Sequence, residues 1–269
     1  MKDVNTVICG EATKILAEFP SECVDLVVTS PPYDNLRDYN GYTFNYKDMA
    51  KSLLRVVKPG GIVVWVVGDE TKNFSESLTS FRQAIFFHDV CGFNLLDTMI
   101  YEKNGGPSPY PGLRRYSPWF EYMFVFSKGK PKVFNPIKDK ELKGAEGKIN
   151  SGNTARQKDG TTKSSGSYIQ KKYGIRHNVW KYQVGKGKDT SNKDALIHPA
   201  RFPEKLAHDH IISWSNLGDL VLDPMCGSGT TLVEAKKTGR NFIGIDISKD
   251  YCVVSKKRIS TTTPQEGKP

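Results

Sequence analysis

The sequence predicts an α/β protein built around a largely parallel sheet and interrupted by a basic, loop-rich insert. Three observations predict it: short β-branched runs alternate with helical stretches, a glycine-rich turn lies between a strand and a helix, and positive charge is concentrated in one segment. The chain has 269 residues, near the upper end of what one hydrophobic core serves, so one large domain or one domain with a smaller insert is expected. Hydrophobic residues at 38%, charged residues at 25% and a mean hydropathy of -0.48 describe a globular chain rather than a disordered or membrane-embedded one.

In chain order, residues 6–9, 24–28, 62–67 and 95–101 are apolar runs of strand length. Residues 47–57 carry Met49, Leu53, Leu54 and Val57 at roughly helical spacing, and Lys58-Pro59-Gly60-Gly61 stops that helix. Residues 122–126 supply another strand. From 138 to 194 the pattern dissolves into Gly, Ser, Thr, Asn and Lys, with isolated anchors at Tyr168, Ile169, Tyr173, Val179, Trp180 and Tyr182, and reads as loop. The α/β rhythm then returns as helix 203–214, strand 220–222, helix 230–237 and strand 242–245.

The longest apolar run, residues 62–67, is far short of the ~18 that suggest a spanning helix. No membrane partner is expected, and the N-terminal sequence lacks a signal peptide's apolar region, so the cytoplasm is the default location. Five scattered cysteines (Cys9, Cys23, Cys91, Cys226, Cys252), with no C-x-x-C pair, argue against a zinc site and a disulfide framework. His198, His208 and His210 lack partners at ligand spacing, so no metal is expected. Between Lys128 and Lys193 stand 17 Lys+Arg and 5 Asp+Glu, so this stretch alone exceeds the whole chain's net charge of +10. Such a segment suits a polyanion, although a solvated lysine-rich loop has the same composition.

Asp223-Pro224-Met225-Cys226-Gly227-Ser228-Gly229-Thr230-Thr231 follows one short strand and opens a helix. Glycines there let a ligand approach the backbone, and Asp246, nineteen residues after Gly227, ends the next strand where a carboxylate can accept from two ribose hydroxyls. Thr230-Thr231 in place of Lys-Ser excludes a phosphate-binding P-loop, and Leu232 spoils a dinucleotide fingerprint. The second motif, Ser30-Pro31-Pro32-Tyr33, directly follows a buried run. Two prolines drive the chain off the sheet's carboxyl edge, where α/β sheets bind ligands. A hydroxyl, a rigid carbonyl and an aromatic ring there suit a planar heterocycle with an exocyclic amine, and equally suit a plain strand terminator.

Together the two motifs resemble those of the amino-methylating DNA methyltransferases, which use S-adenosylmethionine (AdoMet). Ser30-Pro31-Pro32-Tyr33 matches the family's catalytic motif, and the stretch from Asp223 to Thr231 its AdoMet motif. The resemblance implies that Asp223, Pro224, Cys226, Gly227, Gly229, Thr230, Thr231 and Asp246 bind the cofactor, joined by Phe202 and Pro203 at the methionine end and by Glu11 at the adenine amine. Glu11, where Asp is commoner, and Met225, where Phe is commoner, depart from the pattern. The motif order, catalytic before AdoMet with the insert between, is similar to the family's β group. It implies a circularly permuted, Rossmann-like sheet of seven strands, with a catalytic part over 1–104, a target-recognition insert over 105–195, an AdoMet-binding part over 196–260 and a tail over 261–269.

Ser rather than Asp before Pro-Pro-Tyr leans the resemblance toward N4 of cytosine over N6 of adenine. C5 methylation needs a Pro-Cys nucleophile, and no cysteine here follows proline. The implied partner is duplex DNA, with the target base flipped out; a cognate restriction endonuclease on the same site is compatible, and monomer and homodimer both stay open. Candidate DNA contacts are Lys171, Lys172, Arg176, Trp180 and Tyr182 in the insert and Arg114 and Arg115 before it. An inactive DNA-binding module would leave both motifs without a role. RNA and protein-glutamine methyltransferases usually carry Asn before the prolines and the opposite motif order.

Overall fold

The computed structural model describes residues 3–32, 44–105, 114–142, 144, 146–150, 152, 154–164, 166–185, 190 and 202–264. Tyr33 and residues 198–201 lie outside them. The chain divides into two compact units, one made of Met1–Asn135 and Asn178–Pro269 and the other of Pro136–His177.

The first unit holds an eight-stranded sheet. Its strands are β1 (Thr6–Cys9), β2 (Val24–Thr29), β3 (Val57–Val67), β4 (Asn94–Asn104), β5 (Phe120–Ser127), β6 (Val179–Gln183), β7 (Leu220–Asp223) and β8 (Asn241–Asp246). Their order across the sheet is β1-β8-β7-β2-β3-β5-β4-β6. Only β5 runs against its neighbours; the remaining pairings are parallel. Seven of these strands fall on the seven apolar runs of the sequence. The eighth, β6, corrects the loop reading of Val179, Trp180 and Tyr182: Trp180 and Tyr182 alternate with exposed Val179, Lys181 and Gln183, a period of two too short to stand out from its basic surroundings.

Period-two sorting also explains how the sheet is covered. All six residues of 62–67 are buried. Val63, Trp65 and Val67 meet the face held by α1 (Ala12–Ala17), α2 (Tyr46–Val56) and α3 (Thr79–Ile85), where Leu16, Met49, Leu53 and Ala84 join them in one core. Asn45 caps α2 by accepting from the Lys47 and Asp48 N–H groups (3.1 and 3.3 Å), and the buried Trp65 indole donates to Gln83 Oε1 at 2.7 Å, so the indole N–H is paired inside the core. The opposite face carries α4 (Glu204–Trp214) and α5 (Thr230–Lys237), with α6 (Lys249–Thr261) beside α5. Gly244 is what lets α5 sit down on β8, because a Cβ there would lie 2.3 Å from Leu232 Cδ1. Among the described residues no helix is long and apolar enough to cross a membrane.

The second unit is a nested hairpin of three short antiparallel pairings. Lys140 faces Gly174, Asn150 faces Tyr168 and Ala155 faces Lys163, and the chain turns at Asp159-Gly160. Its Ile149, Tyr168, Ile169 and Tyr173 are exposed, so backbone pairing rather than a core holds this arm together.

Candidate active site

The parallel strands β2, β7 and β8 end on one edge, which brings the two sequence motifs together. Leu222 is registered with Val27, and Asp223 with Gly244. Thr29 Oγ1 donates to Asp223 Oδ1 at 2.7 Å, and Thr231 Oγ1 donates to the Val28 carbonyl at 3.1 Å. The last residue before Ser30-Pro31-Pro32 is therefore bonded directly to the residue that opens the glycine-rich turn. Pro31 is buried, and Ser30 and Pro32 are half-buried at the point where the chain leaves the sheet.

Asp223 is 2% exposed and also accepts from the Met225 N–H at 3.2 Å. Burial pushes its carboxyl up to about 6, against the hydrogen bonds it accepts. The turn that follows is held from both sides. Cys226 N–H donates to the Ile245 carbonyl (2.9 Å), Gly229 N–H to the Cys226 carbonyl (2.7 Å) and Gly227 N–H to Asp246 Oδ2 (2.8 Å). Gly229 has φ +81°, and a Cβ on it would lie 2.2 Å from Ser255 Oγ of α6. That position therefore demands glycine for both its backbone and its packing.

Asp246 accepts a second backbone bond, from Ser248 N–H to Oδ1 at 2.8 Å. Burial raises its pKa while the two backbone bonds oppose the rise. Each carboxylate oxygen keeps acceptor capacity beyond its backbone bond, which fits a pair of vicinal hydroxyls. Across the β1–β8 pairing Cys9 is registered with Asp246, so Glu11 follows on the same edge. Its carboxylate is already engaged as the cap of α1, accepting from the Thr13 and Lys14 N–H groups at 2.9 and 3.0 Å. Desolvation raises the Glu11 pKa, but the bonds from Thr13 and Lys14 outweigh it and leave the group below its ordinary value. Cys226, Thr230 and Thr231 are buried, and the Cys226 thiol abuts Gly244, so these side chains shape the turn. Pro224 and Gly227 are buried in the same turn. Phe202 is half-buried and Pro203 buried; Pro203 is the N-cap of α4.

A family model described as a DNA methylase, of the N6/N4 methyltransferase type, matches residues 24–257. The orphan methyltransferase M.BamHII of Bacillus amyloliquefaciens is 51% identical over 237 residues, covering 88% of each chain. Among solved structures, the cytosine-N4-specific PvuII DNA methyltransferase superposes with a TM-score of 0.65 at 23% identity, covering 94% of this chain and 85% of that one. The M1.HpyAVI–SAM complex does so with a TM-score of 0.63 at 25% identity, covering 94% and 98%. This chain belongs to the N6/N4 DNA methylase family. Its methyl donor is AdoMet, and the donor set at the strand edge fits that cofactor: an acceptor pair at Asp246 beside a turn whose close backbone positions are glycines.

Sequence motifs do not reveal the residue that joins the glycine-rich turn to α4. Arg258 of α6 is 1% exposed and donates to the Ser228 carbonyl at 2.6 Å, from the same nitrogen to Thr230 Oγ1 at 3.4 Å, and from its other terminal nitrogen to Glu204 Oε1 at 2.9 Å. It thus ties the glycine-rich turn to the start of α4, next to Phe202 and Pro203. A lysine-rich C-terminal helix gives no hint that its one arginine is buried; Glu204 directly after Pro203 was the available signal.

The candidate DNA contacts separate into three groups. Trp180 and Tyr182 are 6% and 4% exposed: the Trp180 ring packs 4.7 Å from that of His210, and Tyr182 OH donates to the buried Asp209 at 2.9 Å. Neither ring is free to reach a base, which corrects their assignment to DNA and makes them core residues of the methylase sheet. Arg176, in the arm, is bonded to Asp139 through Nε (2.9 Å to Oδ2) as well as through a terminal nitrogen, so its guanidinium braces the hairpin. Lys171 and Lys172 are exposed on that arm, Lys172 Nζ lying 5.5 Å from the Tyr173 ring centre. Arg114 and Arg115 are exposed in the first unit, where Arg115 pairs with Glu76 at 3.0 Å.

Proposed function

We propose that this methylase transfers the AdoMet methyl group to the exocyclic N4 amine of a cytosine flipped out of duplex DNA. One observation carries the reading: Thr29 and Asp223 are hydrogen-bonded at 2.7 Å, so the motif suited to an amine-bearing base and the turn suited to AdoMet share one strand edge. Asp246 would accept from the ribose hydroxyls, and the turn from Cys226 to Gly229 would line the cofactor, with Phe202 and Pro203 at its methionine end. Bound AdoMet supplies an electrophilic methyl group.

An exocyclic amine conjugated with its ring is a poor nucleophile until it pyramidalises. Ser30 Oγ and the Pro31 carbonyl accept its two N–H bonds and thereby favour the geometry in which the lone pair faces the donor, while Tyr33 stacks on the ring. Serine is no base at neutral pH, so the proton leaves to solvent after transfer. The base reaches this edge only by leaving the helical stack, at a cost of about a few kcal/mol. Grip on the duplex falls to the basic arm and to Arg114 and Arg115. Ser30 favours cytosine N4. Incubation with labelled AdoMet and duplex DNA, followed by digestion to nucleosides, is expected to yield N4-methylcytosine; N6-methyladenine alone would overturn the base, and 5-methylcytosine the mechanism.

A further inference from the structure

Beyond β3, on the edge where β2 ends at Thr29 just before Ser30, the chain forms a tight hairpin in which Thr71 pairs with Glu76 and Lys72 with Ser75. Its two-residue turn is Asn73-Phe74, and both have positive φ, +51° and +62°. Asparagine suits the first position of such a turn, whereas the second normally falls to glycine, because a side chain on left-handed backbone is strained. Here that place holds a phenylalanine, and its residue is 87% exposed. A large apolar residue at a position that favours glycine, with no core packing in return, has no structural rationale in the isolated chain.

The hairpin is firmly mounted. Ser77 N–H donates to the Glu70 carbonyl at 2.8 Å across its foot, and Asp69 accepts from Ser77 Oγ at 3.1 Å and Ser80 N–H at 2.9 Å. Arg115 reaches Glu76 at 3.0 Å and brings the segment of Arg114 and the 99%-exposed Tyr116 alongside. Lys72 and the two arginines give the tip's surroundings groups that suit phosphates.

We propose that Phe74 is a wedge that enters the base stack beside the flipped nucleotide and occupies the gap it leaves. Apolar side chains inserted between base steps are an established way to offset lost stacking. The inference rests on the reading of this chain as a base-flipping duplex methylase.

The test uses a duplex that wild-type protein methylates, prepared fully paired and with an abasic site opposite the target base. Phe74→Ala is expected to lower the methylation rate of the paired duplex about 10- to 100-fold. On the abasic duplex the loss should be no more than about threefold, AdoMet affinity should hold, and Phe74→Trp should restore most of the rate. The variant folds, since the side chain is 87% exposed and packs into no core; an unlowered melting temperature verifies this. Equal losses on both duplexes, or none, overturn the wedge, as does a loss that tracks dissociation of a dimer by light scattering, which would make Phe74 a contact with a second copy. A wild-type protein that binds AdoMet but methylates no duplex would instead refute the underlying reading, and the wedge with it.

Discussion

At the sheet edge, Asp223, Asp246 and Arg258 each answer to two or more partners and are nearly or wholly buried. In the arm of residues 136–177, Lys171, Lys172, Tyr168 and Ile169 stand exposed on a ladder held mainly by backbone pairing. Changes at the first should therefore alter stability and cofactor binding together, whereas changes at the second should alter binding of a polyanion alone. The difference is the one expected between chemistry, which needs atoms fixed to fractions of an ångström, and grip, which needs charge and tolerates substitution.

Arg258→Ala should break this contrast most forcefully if the contrast is wrong. It leaves Glu204 without the guanidinium that neutralises it and strips the Ser228 carbonyl of a donor, for an expected loss of about 3–5 kcal/mol in denaturant unfolding. A loss under ~1 kcal/mol would mean that the edge is not over-determined.

Asp223 gives a prediction of opposite sign. Its folded pKa, about 6, lies above the roughly 3.9 of an unfolded aspartate, so the native state holds the proton more tightly. Stability from this group is full below about pH 4 and is lost as pH rises through about 6. Asp223→Asn keeps an acceptor for Thr29 and Met225 but removes the buried charge. It should raise stability at pH 7.5 by up to ~3 kcal/mol and flatten the pH dependence between about 4 and 6. No gain at pH 7.5 would show that the carboxylate's hydrogen bonds outweigh its burial. Asp246→Ala should then weaken AdoMet by ~1–3 kcal/mol, the scale of charge-assisted hydrogen bonds. An unchanged calorimetric dissociation constant in a folded variant would remove Asp246 from the cofactor site.

The same contrast governs what could be read from the amino acids. Seven strands and the glycine-rich turn were legible because burial imposes both composition and period: residues 62–67 can only be apolar, and Gly229 can only be glycine against Ser255. The bond between Thr29 and Asp223 joins residues 194 apart, and no local pattern announces it. β6 failed as a strand for the opposite reason, since its alternation covers only five residues inside a lysine-rich stretch. Trp180 and Tyr182 were drawn toward DNA by that charged neighbourhood, although aromatic residues at i and i+2 are as readily one buried face of a strand. Arg176 illustrates the limit of charge counting, because composition cannot tell a cation that grips from one that braces.

The arm carries the smallest effect on folding and the most specific effect on binding. Lys171→Ala with Lys172→Ala should leave the unfolding free energy within about 0.5 kcal/mol, since both side chains are exposed. If each lysine meets one phosphate, the log-log dependence of DNA affinity on salt should flatten by about 1.8, at about 0.9 per contact, with AdoMet affinity preserved. Arg176→Ala should add little to that change, because its guanidinium is held by Asp139. Asp139→Asn weakens that hold and is expected to steepen the slope by up to about 0.9 if the released arginine reaches a phosphate. These arms oppose each other: a bracing arginine predicts no change from Arg176→Ala and a gain from Asp139→Asn, while a gripping arginine predicts a loss from the first and little from the second. Should the double lysine variant leave both affinity and slope untouched, the arm is a solvated hairpin, and the grip on DNA belongs to Arg114, Arg115 and Lys72.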